Sequence, residues 1–153
     1  MKIYYAPAGT NNIRTKIYLN EKGLDVPLQP VDIMKYEHKQ EPFVTKHPLG
    51  RLPVMELDDG TIITESMAIC RYLETLYPDN PLMGATPKEI AIVEMWDRLA
   101  EWEGLMAVSE VFRNTHKLIV GRGLAGYDRE IPQIPALAER GEFRLRLFFD
   151  KID

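Results

Sequence analysis

The chain has 153 residues, 45% hydrophobic and 27% charged, with a formal charge of −4 at pH 7, a composition that suits a globular protein with one good core or two small ones. The acidic balance, without a Lys/Arg stripe, argues against nucleic-acid binding, because phosphates are held by clustered cations that release counterions. No apolar run approaches the ~20 residues of a membrane span or the apolar stretch of a secretory signal, and the single Cys70 rules out an internal disulfide or a Cys-rich metal site, so the expectation is a cytoplasmic protein held together by packing.

Lys2 to Ala6, rich in Ile and Tyr, reads as a strand, and Pro7 to Asn12 carries the Pro, Gly, Thr and Asn of a turn. Ile13 to Lys22 contains no breaker, and Gly23 stands where a left-handed C-cap belongs, so a short helix is predicted there. Leu28 to Ile33 reads as a second strand, parallel to the first in a βαβ unit. A polar stretch from Lys35 to Gln40 follows. Val54 to Leu57, the turn Asp58-Asp59-Gly60 and Thr61 to Thr64 then predict an antiparallel hairpin. Ser66 is positioned to N-cap a helix whose Ile69, Tyr72, Leu73 and Leu76 form one buried stripe. Strand, helix, strand, hairpin, helix is the thioredoxin-like order. Cys70 sits at the margin of that stripe as a small buried hydrophobe.

Pro78 to Pro87, with three prolines, Asn80 and Gly84, has a linker's composition. The predicted domains are therefore 1–79 and 87–153. Thr86 and Glu89 form a capping box with Pro87 at the first helical position. Ile92, Met95, Trp96, Leu99, Trp102 and Met106 share one face of the helix that follows, opposite Glu94, Asp97, Arg98 and Glu101. That face predicts core or dimer contacts for Trp96 and Trp102. Beyond Gly104 the apolar positions Leu105, Val108 and Phe112 move round the helix, which predicts a bend or a second packing partner. A loop from Gly121 to Pro135 and a helix over 136–153 complete the chain.

Glu65-Ser66, taken alone, is an acidic residue and an N-cap. At a helix start the pair also fits an amino acid's zwitterionic head, with free N–H groups for a carboxylate and a Glu for an ammonium. Arg51-Leu52-Pro53-Val54 is either a plain strand start or a cis-Pro that turns the Leu52 backbone outward to pair with an extended peptide.

The run HPLGRLPVMELDDGTIITESMAICRYLE resembles the glutathione-binding half of glutathione transferases, in which Pro-x-Gly-x-x-Pro precedes a hairpin and a helix opened by Glu-Ser. YEHKQEPF resembles the loop that supplies His and Lys to the glycine carboxylate of glutathione in theta-like and phi-like members. MWDRLAEWE and IPQIPALAERG are similar to bacterial theta-like members. The resemblance implies an α/β thioredoxin-like N-terminal domain, then an all-α C-terminal domain that is incomplete here because the family continues through more helices. It implies glutathione binding by His38, Lys39, Arg51, Leu52, Pro53, Glu65 and Ser66, no metal, and a homodimer. The activity it implies is conjugation of the glutathione thiolate to an electrophilic small molecule bound between the domains. A glutathione-dependent peroxidase or disulfide reductase and a non-catalytic glutathione-binding protein are the alternatives.

A thiol with a pKa near ~8.5 is only a few per cent ionised at neutral pH, so the site must stabilise the thiolate. Thr10 offers a hydroxyl and Asn11 an amide N–H, in the positions where serine-type and asparagine-type members resemble this chain. Both also suit a helix cap. Tyr5 is the competing donor, because Tyr5-Ala6-Pro7 resembles the end of the first strand in tyrosine-type members. No cysteine lies between residues 9 and 14, which excludes a protein thiol at that position.

Overall fold

Ile3 and Met55 have no exposed surface and face each other across paired strands, and a four-stranded sheet is built around them. The structure is a computed structural model that describes residues 1–153, and it divides into two units, Met1–Met83 and Gly84–Asp153.

In the first unit β1 (Lys2–Tyr5), β2 (Leu28–Pro30), β3 (Val54–Glu56) and β4 (Ile62–Thr64) lie in the order β2-β1-β3-β4. β1 pairs parallel with β2 and antiparallel with β3, and β3 pairs antiparallel with β4. This is the thioredoxin-like sheet that the sequence predicts. Because side chains alternate across a strand, Ile3 and Met55 fall on one face with Tyr18 and Leu19 of α1 (Thr10–Lys22) and Ile69, Cys70 and Leu73 of α3 (Ser66–Leu76). The opposite face joins Val31, Val54 and Tyr4 to Phe43 of α2 (Phe43–Lys46). Tyr4 is held there edge-on to Phe43, and its hydroxyl donates to Glu56 at 2.7 Å.

Three features differ from expectation. α1 begins at Thr10 rather than Ile13. β2 stops at Pro30 because the Asp32 carboxylate accepts from the amides of Met34 and Lys35 and turns the chain. Leu76 completes no buried stripe and is 45% exposed.

Glu74 of α3 closes the unit. Its carboxylate accepts from the Tyr18 hydroxyl and from the amides of Leu82 and Met83, and pairs with Lys22 Nζ at 3.1 Å. Burial would raise this carboxyl, but Tyr18, Met83, Lys22 and Leu82 together hold it below the usual carboxylate range. Lys22 also donates to the carbonyls of Asp79 and Asn80. The segment after α3 is thereby tied to the ends of α1 and α3.

The second unit begins with α4 (Pro87–Leu99), whose Thr86/Glu89 capping box forms as predicted. A π-helical turn over Ala100–Leu105 leads into α5 (Met106–Thr115). The wider turn changes the helical phase, which accounts for the shift of apolar positions around Gly104. α6 (Pro135–Ile152) packs closely on α5, where a Cβ on Gly141 would lie 2.8 Å from the Ala107 carbonyl. Glu110 binds Arg140 at 2.6 Å and Arg144 at 3.3 Å across that contact. Ala107 and Ala138 are the buried hydrophobic side chains of this unit. The apolar face of α4, expected to make core or dimer contacts, is not core within this chain: Met95, Trp96 and Trp102 are each at least half exposed. The opposite face is partly covered, and there Arg98 pairs with Glu94, Asp97 and Glu101. No helix is long and apolar enough to cross a membrane.

Candidate functional site

The loop after β1 is shaped by Asn12. Its buried side chain accepts from the Ala6 amide and donates to the Ala8 carbonyl, both at 3.1 Å. These bonds draw the loop in, so that α1 starts at Thr10 with Gly9 as its N-cap and no capping side chain. Thr10 is exposed and Asn11 half-buried.

α3 starts next to them. The predicted N-cap role of Ser66 is not what forms. Glu65 occupies the cap position without a side-chain cap bond, in the left-handed region at φ 68°, and Ser66 is the first helical residue. A non-glycine residue there stores backbone strain, a feature that concentrates at functional sites. The Ser66 hydroxyl, 3% exposed, donates to Asn11 Oδ1 and accepts from the Arg14 guanidinium, both at 3.4 Å. Neither helix has an acidic residue in its first turn. Two N-termini with unsatisfied N–H groups and positive dipole ends therefore come together, an arrangement that favours an anion.

The Leu52–Pro53 bond is cis, as expected, and so is Glu41–Pro42, which was not. Leu52 packs its side chain on the Val31, Phe43 and Val54 cluster. Gly50 adopts φ 57° and lies so close to the 38–39 segment that a Cβ there would sit 2.5 Å from the His38 carbonyl and 3.0 Å from Lys39 Cδ. The Lys39 ammonium donates to the Leu49 carbonyl at 3.4 Å, and His38 stacks on Tyr36 with centroids 6.2 Å apart. His47 is buried, and its imidazole feels Glu65, Arg51 and Lys39 together. Burial pushes its pKa down; Glu65 opposes this, while Arg51 and Lys39 add to it. His47 thus links the 38–39 loop, the 51–53 turn and the start of α3 electrostatically.

Tyr5 ends β1 half-buried and outside both buried clusters, whereas its neighbour Tyr4 packs on the α2 face. A cavity of about 230 Å³ on that opposite face, near Tyr4, Val31, Phe43 and Lys46, contains none of the predicted site residues.

Residues 12–76 match the sequence pattern of the family described as glutathione S-transferase, N-terminal domain. The fold is similar along 99% of the chain to the crystal structure of a glutathione S-transferase domain-containing protein from Marinobacter aquaeolei, with TM-score 0.84, 35% identity and 72% of that chain covered. The chain belongs to the glutathione transferase family. Gtt2 from Saccharomyces cerevisiae is a further structural relative, at TM-score 0.82, 32% identity, 99% of this chain and 71% of the other. Among curated relatives, glutathione S-transferase 2 of the same yeast is 40% identical over 116 residues, 74% of this chain and 50% of its own. A maleylacetoacetate isomerase from Pseudomonas aeruginosa is 36% identical over 89 residues, 57% of this chain and 42% of its own. The chain spans about half the length of these curated relatives.

Within the first unit, Asn11 and Ser66 meet directly, and Lys39, Arg51 and Glu65 share the electrostatic environment of His47. Sequence reasoning missed three contributors: Asn12, Arg14 and His47. His47 stands inside the HPLG run, which offered a signal for it, whereas Arg14, one helical turn after Asn11, takes its part only through Ser66, 52 residues away.

Proposed function

We propose that the first unit binds glutathione and that the protein transfers its thiolate to electrophilic small molecules. The observation that carries this reading is the meeting of two N-termini without capping side chains at Asn11 and Ser66, beside the exposed Glu65. In this reading the γ-glutamyl carboxylate lies on the α3 N–H groups and the Ser66 hydroxyl, and its ammonium on Glu65. The cysteinyl backbone pairs with Leu52 ahead of Pro53, as an added strand. Lys39, with His38, takes the glycine carboxylate, and Arg51 adds positive charge at the rim.

The thiol then falls near the start of α1, where Asn11, with Thr10, donates hydrogen bonds to sulfur and the helix field favours negative charge. The α1 start at Thr10 supports this pair over Tyr5, because it puts both residues in the first helical turn. The thiolate lone pair forms the new C–S bond while the leaving group departs with its bonding electrons. Where the acceptor is an activated double bond, a proton is taken up at the neighbouring carbon instead.

The test is turnover of a chloronitrobenzene with glutathione, alongside a hydroperoxide, a small disulfide and a maleylacetoacetate-type isomerisation. Conjugation supports the proposal. Reduction alone favours the peroxidase or reductase reading, and glutathione binding without turnover favours the non-catalytic one. We further place the protein in the cytosol as a homodimer. The dimer is supported by the exposed Met95, Trp96 and Trp102, large apolar side chains on one helical face, the kind of surface that a second copy covers. Light scattering at micromolar concentration should report twice the chain mass, and a monomer would contradict it.

A further inference from the structure

We propose that Arg14 is a positioning residue for thiol activation, acting through Ser66 to fix which end of the Asn11 amide faces the sulfur. The inference rests on the reading above, in which Asn11 is the thiolate donor.

A guanidinium only donates, so at 3.4 Å from Ser66 Oγ it occupies a lone pair of that oxygen. The hydroxyl's single hydrogen is then directed to another acceptor, and Asn11 Oδ1, also 3.4 Å away, takes it. Asn11 therefore turns its carbonyl towards Ser66, and its Nδ2 faces the other way. That is the orientation in which the amide can give an N–H to a thiolate. The reverse rotamer would present Oδ1 to sulfur and repel it. Without Arg14 the hydroxyl is free to rotate and accept from Nδ2, which stabilises the unproductive orientation.

The surroundings support a dedicated role. Arg14 is half-buried on α1, and its guanidinium reaches a hydroxyl rather than a carboxylate. It also stands beside two helix N-termini, where a cation is disfavoured by both dipoles. Such a placement is stabilised when an anion is bound.

The experiment measures the pKa of bound glutathione from the pH dependence of its thiolate ultraviolet absorbance, using the full chain and its Arg14→Gln, Arg14→Lys, Asn11→Ala and Arg14→Gln/Asn11→Ala variants. Arg14→Gln should raise the bound-thiol pKa by about one unit, a roughly tenfold loss of thiolate at neutral pH. Lys at position 14 can still donate to Ser66 and should restore most of the effect. In the Asn11→Ala background the Arg14 change should add nothing, because its target is gone. Full additivity, or an Arg14→Gln thiol pKa equal to the parent's while Asn11→Ala raises it, overturns the role of Arg14 and leaves the donor assignment standing. An unchanged thiol pKa in Asn11→Ala overturns the donor assignment and this inference with it. Ser66→Ala breaks the same relay with a smaller change. It should raise the thiol pKa in the same direction should Arg14→Gln not fold, and an unchanged value then overturns the relay.

Discussion

Removing Glu74 should loosen the whole first unit. The Glu74 side chain is 14% exposed and its partner Lys22 only 1%, so Glu74→Ala leaves an ammonium buried with the Asp79 and Asn80 carbonyls as its remaining partners. Breaking a buried pair from one side costs about 3–5 kcal/mol. The buried Tyr18 hydroxyl also loses its acceptor, a further cost that overlaps with the first because both groups share one carboxylate. The Leu82 and Met83 amides lie near the surface and can turn to water at little cost.

At about 1.4 kcal/mol per decade, the slowest amides of β1, α1 and α3 should exchange roughly 140- to 3,700-fold faster. Hydrogen exchange read by mass spectrometry is the suitable assay, because it follows the amides of the first unit directly, whereas both tryptophans, Trp96 and Trp102, lie in the second unit. Adding Lys22→Met should recover part of the loss by removing the orphaned charge. A Glu74→Ala cost below about 1 kcal/mol, or a double variant no better than the single, would refute the assignment of Glu74 as the clasp of this unit.

Gly50→Ala combines a positive φ with a backbone clash at His38, and should destabilise the first unit by about 2–5 kcal/mol while weakening glutathione binding. Gly60, also at positive φ but with no atom within 4 Å of an added Cβ, is the control, and exchange protection in its Ala variant should fall by only about 1–2 kcal/mol. His47 predicts a pH effect of definite sign. Its folded pKa lies below the ordinary 6.5, so the unfolded chain takes up the proton first on acidification. The stability present above pH 6.5 is therefore lost as pH falls through the folded pKa. His47→Gln should flatten that decline, and denaturant midpoints between about pH 7 and 5 with parallel slopes in both proteins would contradict it.

Local chemistry made much of the fold legible. Asp58-Asp59-Gly60, Gly23 and the Thr86/Glu89 pair each specify a turn or cap within a few residues, and all three formed where expected. The misplacements come from distant partners. α1 starts early because Asn12 reaches back to Ala6 and Ala8. Ser66 is diverted from capping by residues 52 and 55 positions away. The periodicity of α4 identified an apolar face but carries no information on what covers it, and within this chain Trp96 and Trp102 stay exposed. For the site, the Pro-x-Gly-x-x-Pro spacing and Glu-Ser pair singled out segments that the fold brings near His47 and the start of α3. Arg14 escaped notice because a single arginine on a helix has no meaning until α3 is packed against it.

The central claim is that Glu65 and Ser66 hold the γ-glutamyl end of glutathione. Calorimetric titration of glutathione into the parent chain and Glu65→Ala tests it most directly. Saturable binding by the parent and a loss of about 1–3 kcal/mol in the variant are expected, the range for removing a charge-assisted hydrogen bond. Equal affinities for the two proteins would contradict it.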